Sequence, residues 1–246
     1  MYSVELKKQI LDRTFMSNKK YKLEDMQELE GRTKAQMNAI EAYEAKDNIG
    51  LCLTGSAGTG KTYLGMSLAL EDVLDRDTPY DKLIIIRSVV PTREMGYMPG
   101  TKEEKEEVFT LPYKGICAEL FGRADAWDNL IKSCTIEFES TSFIRGATFN
   151  NAIVLVDEMQ NLNFHELDSV ITRIGRDSRI ILAGDYYQSD FRRKDEKDGI
   201  ASFLNIVEEL NHFEVVEFNW ADIVRSGLVR DYIMTKERLT QEGKLN

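Results

Sequence analysis

The 246-residue chain is long enough for one sizeable domain, and its 42% hydrophobic and 30% charged content is that of an ordinary globular protein. Lys and Arg total 32 against 42 Asp and Glu, and the resulting net charge of -10 repels nucleic acid and anionic membrane except at a locally basic surface. Three cysteines without CxxC spacing, and two isolated histidines at 165 and 212, argue against a disulfide framework, a histidine metal site and a Ser-His-Asp triad.

Residues 1–31 are polar, charge-rich and helical in pattern, and read as a helical appendage to a domain spanning 32–246. No apolar leader opens the chain and no run approaches membrane-spanning length, so a cytoplasmic protein without membrane contact is expected. The span 33–47 predicts a helix with Thr33 as its N-cap. Apolar runs at 48–55, 82–90, 133–140, 151–158, 178–185 and 213–220 then predict strands, several without polar alternation, as in strands buried on both faces. Between them, 61–76, 102–121, 163–174, 198–210 and 221–239 predict helices. Strand followed by helix, repeated, argues for an α/β fold: a mostly parallel sheet with helices on both faces. The excursion 91–107 reads as a functional loop, and the charge run 192–198, "RRKDEKD", as a solvated surface loop.

The stretch "TGSAGTGKT" (54–62) follows a predicted strand, opens a predicted helix and matches the phosphate-loop pattern G-x-x-x-x-G-K-S/T at Gly55, Gly60, Lys61 and Thr62. Phosphate is recognised there by converging backbone N–H groups, so side chains must stay small. Gly55, Ser56, Ala57, Gly58, Thr59, Gly60, Lys61, Thr62 and Tyr63 form the expected nucleotide cradle, with Lys61 supplying charge to the phosphates and Thr62 a hydroxyl to Mg²⁺. "IVLVDEMQ" (153–160) ends an apolar strand in two carboxylates. An Asp-Glu pair there can simply cap the next element; beside a phosphate loop, Asp157 reads as the Mg²⁺ ligand and Glu158 as the base that deprotonates an attacking water. In "LAGDYYQSD" (182–190), Gln188 is placed either to sense the γ-phosphate or to belong to an ordinary loop.

These blocks, in their order, resemble the PhoH family of P-loop ATPases, related to the first RecA-like domain of superfamily 1 helicases. "GYMPGTKEEK" (96–105), "FIRGATFNNAIVLVDEMQN" (143–161), "TRIGRDSRIILAGDYYQSDF" (172–191) and "DIVRSGLVRDYI" (222–233) carry the resemblance across roughly residues 33–233. It implies a RecA-like P-loop ATP hydrolase using ATP and Mg²⁺. Gln36 would lie against the adenine, with a solvent-facing helix residue as the alternative, and Arg225 and Arg230 are carried over as motif arginines. Ser226 stands where the family motif has His. The chain carries one RecA-like domain where helicases have two, and the resemblance to compact bacteriophage-encoded members would place it in a host cytoplasm. Arg225 is accordingly expected to serve a neighbouring subunit's site in a homo-oligomer, with a ring hexamer favoured and Arg145 as the competing arginine. The resemblance implies a helicase-like motor or remodeller on single-stranded nucleic acid, RNA before DNA, with Arg87, Arg93, Tyr97 and Lys102 meeting the strand. An ATP-dependent switch or assembly factor acting on a protein partner is the alternative, which the acidic composition suits equally well.

Overall fold

The computed structural model describes residues 21–45, 48–88, 102–141, 146, 148–185 and 194–244, with the backbone alone for 102–106 and 194–198. Six strands, β1 (Gly50–Gly55), β2 (Lys82–Arg87), β3 (Ile136–Ser140), β4 (Ala152–Val156), β5 (Arg179–Ala183) and β6 (Phe213–Phe218), form one sheet in the order β3-β2-β4-β5-β1-β6. Every strand pair is parallel. The helices are α1 (Lys34–Glu44), α2 (Lys61–Leu74), α3 (Lys102–Phe121), α4 (Ala126–Lys132), α5 (Phe164–Ile171), α6 (Lys194–Glu208) and α7 (Gly227–Gln241).

The unalternating apolar runs become the inner strands because both of their faces are covered. On β4, Ile153 and Leu155 join a core with residues of α1, α2, α3 and α4, while Ala152, Val154 and Val156 join a second core with Leu167 and Val170 of α5 and Phe203 and Val207 of α6. Cys52 and Cys117 are buried in these layers, and burial pushes both thiols up to about 12, which leaves them un-ionised at neutral pH. Among the described residues no helix is long and apolar enough to cross a membrane.

Thr33 caps α1 as expected, its hydroxyl accepting from the Gln36 N–H. Other boundaries differ. A short helix, α4, stands at 126–132, where no helix is expected. The charge run at 192–198 is helical from Lys194, so most of it begins α6 and is not a loop. The last helix begins at Gly227, because a 3₁₀ turn, Trp220–Asp222, and an extended link occupy the positions before it. Of the expected helical appendage 1–31, residues 21–31 are described. Its described part has a single 3₁₀ turn, Leu23–Asp25, and docks on the domain: Tyr21 is buried against Phe121 with ring centroids 4.7 Å apart, and the Gln27 N–H donates to the Leu120 carbonyl.

Candidate functional site

A parallel sheet brings all its strand C-termini to one edge, and the candidate side chains gather there. β1 runs into the glycine loop, β2 ends at Arg87, β4 delivers Asp157 and Glu158, and β5 delivers Gly184 and Asp185. They surround a cavity of about 710 Å³ that also takes in Arg32, Gln36, Tyr63, Ile116, Gln160 and Arg225.

The loop's conformation depends on glycine. Gly55 has φ of 111°, and a Cβ there would lie 2.0 Å from the Phe218 carbonyl oxygen. Gly60 has φ of 85° and opens α2, whose first residues are Lys61 and Thr62. Lys61 is buried, and its ammonium donates to the carbonyls of Gly55 (2.9 Å) and Ser56 (2.7 Å). Burial draws the Lys61 ammonium below its usual value, against the opposing charges of Asp185, Glu158, Glu237 and Asp157.

Thr62 donates its hydroxyl to Asp157 Oδ1 at 2.8 Å. Tyr113, fully buried on α3, donates to Asp157 Oδ2 at 2.8 Å. Burial, with the Glu158 charge beside it, pushes the Asp157 carboxyl above its ordinary value. Among the described residues no three His, Cys, Asp or Glu side chains cluster as a protein-built metal cage requires. A hydroxyl and a carboxylate held together at the cavity fit Mg²⁺, which keeps water and phosphate as its other ligands.

Glu158 lies in the left-handed region at φ 51°, ψ 43°, a strained conformation for a non-glycine residue. Gln160 fixes it: its amide N–H donates to Glu158 Oε2, and its Oε1 accepts the Asp185 backbone N–H at 2.9 Å. Gln36 is held in a similar way, donating to the Thr59 carbonyl (2.8 Å) and accepting the Arg32 N–H (2.8 Å). It thus supports the phosphate loop directly while lining the cavity.

Arg87, expected to meet a nucleic-acid strand, lines this cavity. Burial works against its charge, yet Tyr113 and Asp157 beside it hold the guanidinium above its ordinary value. Arg225 is exposed, but its Cγ lies 3.0 Å from where a Cβ of Gly58 would stand, and it lines the cavity of its own chain. Arg225 therefore stands beside the phosphate loop of its own chain. Arg230 is exposed on α7 away from the cavity. Gln188, Arg93, Tyr97 and Arg145 lie outside the described residues, as does the side chain of Lys102.

Tyr113, Gln160 and Glu237 are site residues that sequence reasoning did not assign. Gln160 sits in the "DEMQN" block and was open to recognition there. Tyr113 and Glu237 carry no local signal, because each lies on a helix far along the chain from the group it touches.

The strand carrying the phosphate loop and the strand carrying Asp157 are separated by β5. That order, with the Thr62–Asp157 pair at the strand ends, defines a P-loop protein of RecA-like build. The chain belongs to the PhoH-like protein family, whose model matches residues 28–236. A PhoH-like protein of Synechocystis sp. is 33% identical over 208 residues, covering 84% of this chain and 62% of that protein. Protein PhoH of Escherichia coli (strain K12) is 30% identical over 204 residues, covering 80% and 55%. The chain thus spans between 55 and 62% of these two relatives' lengths. Among solved structures, unliganded Pif1 from Bacteroides sp. is similar over 87% of this chain and 46% of that one, at 15% identity and a TM-score of 0.37.

Proposed function

We propose that this protein hydrolyses Mg-ATP and uses the cycle to act on single-stranded nucleic acid, RNA before DNA. The observation that carries the hydrolytic reading is the pair Asp157 and Glu158 at the end of β4, the first bonded to Thr62 and the second held by Gln160. Mg²⁺, when bound, neutralises charge on the β- and γ-phosphates. Lys61 leaves the loop carbonyls to pair with phosphate oxygens, and Thr62 and Asp157 present two oxygens to the metal. Glu158 takes the proton of a water whose oxygen attacks the γ-phosphorus. The bond to the β,γ-bridging oxygen breaks, and ADP and inorganic phosphate are formed. Arg225, in cis, faces the charge that develops there.

Glu158→Gln tests the assignment. It keeps the hydrogen bond and removes the base, so kcat falls by about 10²–10⁴-fold while ATP still binds. Turnover within a few-fold of wild type would overturn the role. Mixing Arg225→Ala with Lys61→Ala protein separates cis from trans action. No recovered turnover is expected, and recovery would restore a site shared between subunits. The nucleic-acid reading is supported by the motif order, and it requires turnover to rise with single-stranded RNA and binding to weaken with salt.

A second reading, an ATP-dependent switch on a protein partner, is favoured by one specific feature. Leu228 (84% exposed) and Tyr232 (67% exposed) lie one turn apart on α7, on the segment that also carries Arg225. Unchanged turnover with any single strand would support it.

A further inference from the structure

The chain beyond β6 wraps the phosphate loop, a contact that no motif anticipates. Ile223, Val224 and Arg225 pass along the loop's outer side, and the Val224 N–H donates to the Gly58 carbonyl at 3.1 Å. Ile233 of α7 reaches the same glycine, its Cδ1 3.1 Å from where a Cβ would stand. One turn beyond Ile233 lies Glu237, only 4% exposed. Its Oε2 accepts both the Ser56 hydroxyl (2.8 Å) and the Trp220 indole N–H (2.6 Å), while Oε1 is buried without a hydrogen-bond partner. A buried carboxylate with one oxygen unpaired is costly, and an apolar residue at this position would avoid the cost.

Ser56 is the joint. Its N–H donates to Phe218 at the end of β6, its carbonyl accepts from Lys61, and its hydroxyl donates to Glu237. Three polar groups of one buried residue are thus tied to three different elements. When phosphate draws the Lys61 ammonium away, the Ser56 carbonyl loses its shorter, charged partner and keeps only the Thr59 hydroxyl at 3.0 Å. The peptide cannot readjust without disturbing the oxygen that Trp220 shares.

We propose that Glu237 is a positioning residue that ties the state of the phosphate loop, through Ser56, to the seat of the C-terminal segment 220–241. The proposal rests on the nucleotide-binding reading of the site. Capture of nucleotide shifts Trp220 and the link carrying Arg225; reciprocally, the seat of that segment sets nucleotide affinity.

The chain's two tryptophans make this testable: Trp127→Phe leaves Trp220 as the single indole. In that background, Mg-ADP and Mg-ATP are titrated while emission is followed, and affinity is measured separately by calorimetry. The expected result is an emission change that saturates with the calorimetric Kd. Glu237→Ala loses the change and binds about tenfold more weakly. Glu237→Gln, whose amide oxygen can accept both bonds, restores the response. Ser56→Ala, which removes only the hydroxyl, loses the response while the protein keeps its cooperative melting transition. Nucleotide binding with an unmoved Trp220, or a Ser56→Ala protein that still responds, overturns the coupling alone. Absence of any binding heat overturns the nucleotide reading and the coupling with it.

Discussion

Asp157 carries its charge where the fold disfavours it. Burial and the neighbouring Glu158 raise its carboxyl above the ordinary range, and bonds from Tyr113 and Thr62 with the Arg87 charge offset only part of that. The folded protein therefore holds this proton more tightly than the unfolded chain does. Stability of the nucleotide-free protein falls as pH rises from the unfolded value, about 3.9, through the higher folded one, and the penalty is complete above it. Asp157→Asn removes the penalty, so Tm at neutral pH rises and its decline across the acidic window flattens. On the proposed function, hydrolysis in the same variant drops by about 100-fold or more, because the proposed metal site loses its carboxylate. A Tm at neutral pH that stays equal to wild type, or falls, would show that the two hydroxyls depend on the carboxylate more than the charge costs.

Between elements, the site depends on close approach at two glycines. Gly55 meets the end of β6, and Gly184, just past β5, meets the turn that carries Gln160. A Cβ at Gly184 would stand 2.5 Å from Gln160 Oε1 and 2.6 Å from Met159 Cγ. Gly184→Ala must therefore displace the side chain that fixes Glu158, at a cost of about 1–3 kcal/mol in overpacking. Thermal melting and steady-state kinetics check this: Tm falls, and kcat falls more than nucleotide affinity. Melting and turnover equal to wild type would mean that Gln160 does not need this seat. The elements hardest to read are those without a pattern to read. The seven-residue α4 spans two turns, too short for a hydrophobic period to emerge. The start of α7 was obscured because Trp220–Asp222 continues the helical pattern but spends its backbone bonds on a 3₁₀ turn capped by Asn219.

Across the whole molecule, residues 21–31 belong to the fold. Tyr21 is buried, and Met26 and Leu29 pack on the core that lies under α3 and α4. Leu29 and Glu30 also line the candidate cavity, so this segment borders both the core and the site. Removing residues 1–31 should lower Tm, since burying one large aromatic side chain is worth about 1.5–3 kcal/mol, and it should weaken nucleotide affinity. A truncated protein that melts and binds like the full chain would restore the view of an appendage. The net charge of -10 leaves any nucleic-acid contact to locally basic surface, and Arg87 faces the candidate cavity.

By itself the sequence determined the α/β order, the phosphate loop and the Asp157–Glu158 pair. Each depends on neighbours within a few residues: backbone N–H groups freed by glycine, or carboxylates at a strand's end. Only the tertiary structure decided that Tyr113 holds Asp157, that Arg225 stands at its own chain's site, and that Glu237 grips Ser56 across 181 positions. Those contacts arise because a parallel sheet returns every strand end to one edge and β6 then sends the chain back over the loop. Local patterning encodes which residues are apolar or small, but not which distant helix the returning chain lays across them.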